Sequence, residues 1–149
     1  MLFKPGEKIF FKINTNLSML RSSLFIACLA FSIFSYSKEI VISPGDDSQE
    51  RLQEAMILMS EGDTLVIKSG YYSFEDGLSL NVDNVIITGE GMDETILDFK
   101  DQKSGAQGLL VTSDKVTLKD FAILDAKGDA LKVIGTKGIN MINLRTEWT

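Results

Sequence analysis

The sequence predicts an all-β solenoid of short stacked strands with a single α-helix at its start. Three observations carry this reading. From Asp63 onward, apolar runs of three to five residues alternate with Gly, Asp and Asn. The runs also recur: Val85-Ile86-Ile87 returns as Val116-Thr117-Leu118, and again, after a shorter interval, as Ile139-Asn140-Met141. Nothing between them is long or periodic enough to make a crossover helix, which removes a doubly wound α/β fold.

The chain opens on a segment that reads as a secretory signal. Ser22 to Phe34 is the most apolar stretch, shorter than the roughly 20 residues of a membrane-spanning helix. Lys4, Lys8, Lys12 and Arg21 precede it, and Ser35-Tyr36-Ser37 supplies small residues at both positions of a small-x-small cleavage site. Residues 1–37 are therefore expected to be a signal peptide cut after Ser37, with Met19 as an alternative start. Cys28 invites lipidation, but Phe25 sits where Leu is wanted and apolar residues continue past it. The expected location is export, with no insertion in a membrane once the signal is removed.

Composition narrows the chemistry. The 149 residues include no His and one Cys, so Ser-His-Asp catalysis, His-ligated zinc, an internal disulfide and a Cys-cluster metal site are all excluded. Residues 38–149 carry 11 Lys and Arg against 20 Asp and Glu, a formal charge of −9. Such a surface repels phosphate backbones and anionic lipid, so nucleic acid is not an expected partner.

Residues 38–62 read as a strand and a helix. Glu39-Ile40-Val41-Ile42 is a short strand ended by Ser43-Pro44-Gly45. A helix over about 48–60 follows, with Asp47 and Glu50 spaced as a capping box, Leu52, Ala55, Met56 and Met59 as one apolar stripe, and Gly62 as its stop. An open solenoid end exposes strand edges and apolar interior. The helix, roughly 20 Å long at 1.5 Å per residue, is expected to cover that end.

Residues 63–149 supply the coils. Leu78-Ser79-Leu80 leads into Val85-Ile86-Ile87, Leu109-Leu110-Val111 into Val116-Thr117-Leu118, and Leu131-Lys132-Val133 into Ile139-Asn140-Met141. The longer first interval, from Val85 to Val116, is read as one repeat plus an insertion near Lys100–Gly105. Stacked coils bury the same side of each strand in a shared interior, which is why Val, Ile and Leu return at the same station. An antiparallel sandwich is the competing architecture; it calls for hairpin turns of the Asp-Gly kind, of which Asp76-Gly77 is the one example. Gly89-Glu90-Gly91-Met92-Asp93-Glu94 follows a strand as a dinucleotide loop does, but a strand-like run stands behind it where a helix is required, so it reads as a corner.

The runs at 62–80, 85–99 and 108–149, with Leu52-Gln53-Glu54-Ala55-Met56 before them, resemble the right-handed parallel β-helix repeat proteins of the pectin-lyase-like superfamily. In particular they resemble an exported bacterial β-helix family of unsettled function. The resemblance covers about residues 40–149. It implies a right-handed parallel β-helix with further coils, of which this chain is the N-terminal portion with its capping helix. It also implies a carbohydrate-related role, since the superfamily includes polysaccharide lyases, hydrolases and epimerases. Fold alone does not assign the reaction. The alternative is a non-catalytic solenoid that binds glycan or protein at the cell envelope.

Candidate residues follow from residue type. Acidic-sugar lyases of this fold combine a basic residue with acids that hold Ca²⁺, for which Arg145, Lys127 and Lys132 are of suitable type. A hydrolase needs two carboxylates about 5–9.5 Å apart, and Asp125 with Glu147 is the pair to consider. Trp148 is the candidate sugar platform, and Lys127 is a further candidate for holding substrate. An irregular Ca²⁺ site would use Asp125 and Asp129, with Asp120 as a further ligand. The default for each is a solvated turn or an exposed salt link.

Overall fold

A computed structural model describes residues 37–148 of the protein. The expected export signal, including Ser22–Phe34, Cys28 and Met19, lies outside the described residues. The strands are β1 (Glu39–Ile42), β2 (Thr64–Ile67), β3 (Gly70–Ser73), β4 (Leu78–Leu80), β5 (Ile86–Thr88), β6 (Thr95–Asp98), β7 (Gln107–Val111), β8 (Thr117–Leu124), β9 (Asp129–Val133) and β10 (Asn140–Glu147), and the helix is α1 (Ser48–Leu58).

Every strand pairing among the described residues is parallel. An antiparallel sandwich is thereby excluded. Seven strands form one sheet in the order β1-β2-β5-β8-β6-β3, with β10 added on β8, and β4-β7-β9 form a second. The register is the repeat made visible. Glu39, Thr64, Ile86, Thr117 and Asn140 stand side by side on successive strands, and the step from Ile86 to Thr117 is the longest of the four. In the second sheet Leu78, Leu109 and Leu131 stand in register, again with the longer step first. The molecule is mostly parallel β, with a solenoid-like stacking of like on like.

Alternation along the strands sets the core. Leu65, Ile87 and Leu118 are fully buried at matching positions, as are Leu78, Leu80, Leu109 and Val111 in the second sheet. Tyr72, Leu97 and Ile123 form a third buried row. Phe74 and Phe99 stack with ring centroids 4.8 Å apart, and both are fully buried.

Several expectations are corrected. The helix ends at Leu58, with Met59 already extended at φ −64°, ψ 155°, so Gly62 is not its stop. Gly62 instead turns the chain into β2 with φ 91°. Asp47 makes no capping hydrogen bond; its carboxylate sits 3.0 Å from Arg51 Nε, one helical turn on, so the anticipated capping box does not form. The apolar stripe is as expected: Leu52, Ala55, Met56 and Met59 are buried and join the core beside β1, β3 and β4. Gly70–Ser73 is a strand that periodicity missed, because Tyr71 is exposed and only Tyr72 faces in.

Thr117–Leu118 and Phe121–Leu124, read from sequence as parts of two runs, belong to one strand, bent at Asp120 (φ 62°) so that its first part pairs with β5 and its last with β6. Above it, β10 bends likewise at Asn143 (φ 50°), whose side-chain Nδ2 donates to Asp120 Oδ1 at 3.0 Å. The long coil from Ile86 to Thr117 also differs from expectation. Its excess over the coil below divides between two places. From the first column to the second, the step Thr64 to Gly70 becomes the longer step Ile86 to Thr95. From the second column to the third, Gly70 to Leu78 becomes Thr95 to Leu109, which takes the larger share. The corner Gly89–Glu94 therefore shares the excess with the stretch around Lys100–Gly105.

Candidate functional site

The Gly89–Glu94 corner meets Arg145 of β10, and the stretch around Lys100–Gly105 meets the turn that follows β8. Pleating sends Tyr72, Leu97 and Ile123 into the core and leaves two outward rows, Tyr71-Ile96-Ala122-Arg145 and Ser73-Asp98-Leu124-Glu147. Arg145 thus lies next to Glu147 on one strand face. Its Nη1 is 2.5 Å from Glu147 Oε2, its Nε is 3.6 Å from Asp93 Oδ1, and its Nη2 donates to Met92 O at 3.3 Å. Asp93 and Met92 belong to the enlarged Gly89–Glu94 corner, so the arginine ties that loop to the strand face. Sequence reasoning missed this partner. The long interval between Val85 and Val116 was its only signal.

Asp125 sits at the end of β8 in the left-handed region (φ 53°), and its N–H donates to Glu147 O at 2.9 Å. The two acids proposed as a pair therefore stand on adjacent rungs. Lys127 follows two residues later, its N–H donating to Gln102 Oε1 at 3.1 Å, while Gln102 Nε2 donates to Gln107 O at 3.0 Å. Gln102 is only 2% exposed, so it works as a buried strut between the enlarged loop and the turn above. Trp148 is 69% exposed, yet its Nε1–H donates to Ala126 O at 2.5 Å, which fixes the indole by its edge and leaves its surface open.

These constraints assemble a cleft of about 460 Å³ lined by Lys100, Asp125, Ala126, Lys127 and Trp148. A second hollow of about 240 Å³, with Gly128, Ala130, Thr146 and Glu147, lies against the same tryptophan. Of the sequence candidates, Asp125, Lys127 and Trp148 come together in one cleft, and Glu147 borders the next. Arg145 stays in its ion pairs on the neighbouring row. Lys100, read from sequence only as part of a polar insertion, is the added wall. The arrangement offers two ammonium groups, one carboxylate and an anchored aromatic surface, which suits a flat polar ligand. A larger hollow of about 730 Å³ lies at Gly45–Glu50 with Tyr71, Ser73 and Glu75. Its charged lining is all acidic, and it gathers none of the sequence candidates.

The Ca²⁺ candidates are placed apart from one another in their partners. Asp129 Oδ2 is 3.4 Å from Lys132 Nζ, and Asp120 accepts from Asn143. Among the described residues no three Asp, Glu, Cys or His side chains come together to hold a metal ion. Nor, among them, is any helix long and apolar enough to cross a membrane. No protein-family model matches the chain, and a search of curated proteins returns no match.

Proposed function

We propose that the protein is an exported right-handed parallel β-helix with a carbohydrate-related role, and that it holds an acidic saccharide against Trp148 between Lys100 and Lys127. The observation that carries this reading is the cleft itself, in which an edge-anchored indole and two lysines meet at the margin of the stacked strands. A sugar ring presents an apolar face to an aromatic plane, and a uronate carboxylate pairs with an ammonium group.

Binding is favoured over turnover by one feature. Arg145, the strongest candidate for a basic catalytic group, is held by Glu147 at 2.5 Å and faces Asp93 at 3.6 Å. A guanidinium so paired occupies the carboxylate a hydrolase would need. The catalytic reading, as a lyase, epimerase or hydrolase, is the alternative.

Trp148 is the single tryptophan of the chain, so its fluorescence reports the cleft directly. Titration with oligogalacturonates should give a saturable change, weakened about tenfold or more when Lys100 and Lys127 are both replaced by Ala, an effect of ~1.4 kcal/mol or more. Neutral oligosaccharides should bind more weakly. A fluorescence signal indifferent to every acidic oligosaccharide would end this proposal. Release of unsaturated or shortened product in the same mixtures would transfer it to the catalytic alternative.

A further inference from the structure

Helix α1 carries a second stripe besides the buried one. Glu50, Gln53, Glu54, Ile57 and Leu58 stand at i, i+3, i+4, i+7 and i+8, so they share one face. The character of that face changes along its length. Glu50 and Glu54 are exposed and have no ion-pair partner among the described residues, while Arg51, the cation of α1, is held by Asp47 at 3.0 Å. Two turns beyond Glu50, roughly 10 Å along the axis, Ile57 is 60% and Leu58 68% exposed. An apolar step rimmed by charge is the pattern of a surface that another protein covers.

Beside this stripe runs a groove of about 440 Å³, with Asp76, Gly77 and Leu78 as its far wall. Glutamines of α1 fix that wall. Ser79 N donates to Gln53 Oε1 at 2.9 Å, and Gln53 Nε2 donates to Ser79 O at 3.1 Å. One turn earlier Glu75 N donates to Gln49 Oε1 at 2.6 Å, and Gln49 Nε2 donates to Asp76 Oδ2 at 3.4 Å. A groove held in this way needs little ordering when a partner arrives. It shares Gln49 and Glu50 with the 730 Å³ hollow, where Asp46 adds another acid and Tyr71 an aromatic ring, and aromatic faces attract cations.

Charge selects the occupant. A twofold contact with a second copy would set Glu50, Glu54 and Asp76 against their own equivalents, and anionic lipid is repelled outright. We propose that this face of α1 docks a basic amphipathic helix of another protein. Its lysines or arginines lie against Glu50, Glu54 and the adjoining hollow, and its large apolar side chains lie on Ile57 and Leu58. On such a helix the two kinds of residue stand two turns apart, as Glu50 and Ile57 do. The site is separate from the Trp148 cleft and does not depend on what that cleft binds.

The probe is a short fluorescein-labelled helical peptide of Lys, Leu and Ala, with Lys and Leu two turns apart on one face, titrated with the full chain and read by anisotropy. Binding should saturate, weaken as salt is raised, and fall at least tenfold in both E50K/E54K and I57S/L58S. A peptide with Glu in place of Lys should not bind. E94K/D101K, which changes net charge equally at exposed acids outside the groove, should bind as the parent does. Three results overturn the proposal: no saturable binding, an equal loss in E94K/D101K, or full affinity in an I57S/L58S protein with parent-like circular dichroism. Hydrogen exchange on the unaltered protein gives a reading independent of any variant. Bound peptide should slow exchange in α1 and across Glu75–Ser79, and protection confined to other segments overturns the assignment.

Discussion

Gly62, Asn84, Lys115 and Gly138 occupy one corner of the stack at successive levels, with φ of 91°, 56°, 56° and 73°. Main-chain bonds tie the corner from level to level: Gly62 N to Asn84 O, Asn84 N to Asp114 O and Lys115 N to Lys137 O, each 2.8 Å. The next corner along the chain behaves otherwise. It is a short turn between β2 and β3, a larger loop at Gly89–Glu94, and then a single bent residue at Asp120 and at Asn143. Where its length changes, main-chain bonds such as Gly70 N to Glu94 O, Gly89 N to Lys119 O and Gly91 N to Asp120 O persist, and side chains add to them. Glu90 reaches down to Lys68 Nζ and Ser69 N, each at 2.7 Å, Thr95 Oγ1 accepts from Glu90 N, and Arg145 reaches from above to Asp93 and Met92. The enlarged stretch beyond Phe99 is pinned the same way, by Gln102 and by Lys103 on Glu75 at 2.6 Å. A repeated corner can be held by groups every residue has. An enlarged one keeps such bonds and adds particular side chains, and it is beside such a stretch that the candidate cleft arises.

The sharpest way to break this comparison is at Phe99, which anchors the enlarged stretch to the interior. Phe99→Ala removes the stack on Phe74 and opens a cavity in a core it fills completely. A loss of about 3–5 kcal/mol is expected in urea unfolding, large enough to unfold a small domain. The repeated corner should respond far more gently and with a predictable sign. Gly62→Ala meets no atom within 4 Å, so its cost is conformational only, about 1 kcal/mol. Lys115→Gly, at a site where a lysine already holds φ 56°, should be neutral or gain up to about 1 kcal/mol. A destabilised Lys115→Gly protein would mean the lysine side chain, and not the backbone, governs that corner.

The smallest effect is electrostatic. Hydrogen bonds from Lys68 and from the Ser69 backbone pull the Glu90 carboxyl from 4.5 down to about 2. The folded-state value lies below the unfolded one, so the contribution is complete above pH 4.5 and is lost as pH falls toward about 2. Both partners are substantially exposed, so the contribution is modest. The difference in midpoint between the parent and Glu90→Gln should shrink through that window, and a difference that holds constant across it would sever the loop from the Lys68 contact.

Much of this was legible before any coordinates. The register of Ile86, Thr117 and Asn140 follows the spacing of the apolar runs, because identical stations in a stack bury identical faces. The helix stripe was legible for the same reason. Its ends were not, since Asp47 turned to Arg51 and Met59 extended before Gly62 was reached. Trp148 and Lys127 could be named as residue types, yet Lys100 could not be joined to them, because strands β7 and β8 lie between Lys100 and Asp125.

Periodic burial, a property of each short run and its spacing, was written in the sequence and determined the parallel stack. Which loops meet across that stack was decided only in three dimensions, where small differences in coil length fix what stands over what. Asp93 on Arg145, Gln102 under Lys127 and the glutamines of α1 on β4 are contacts between residues a full coil or more apart, and a local pattern carries no trace of them.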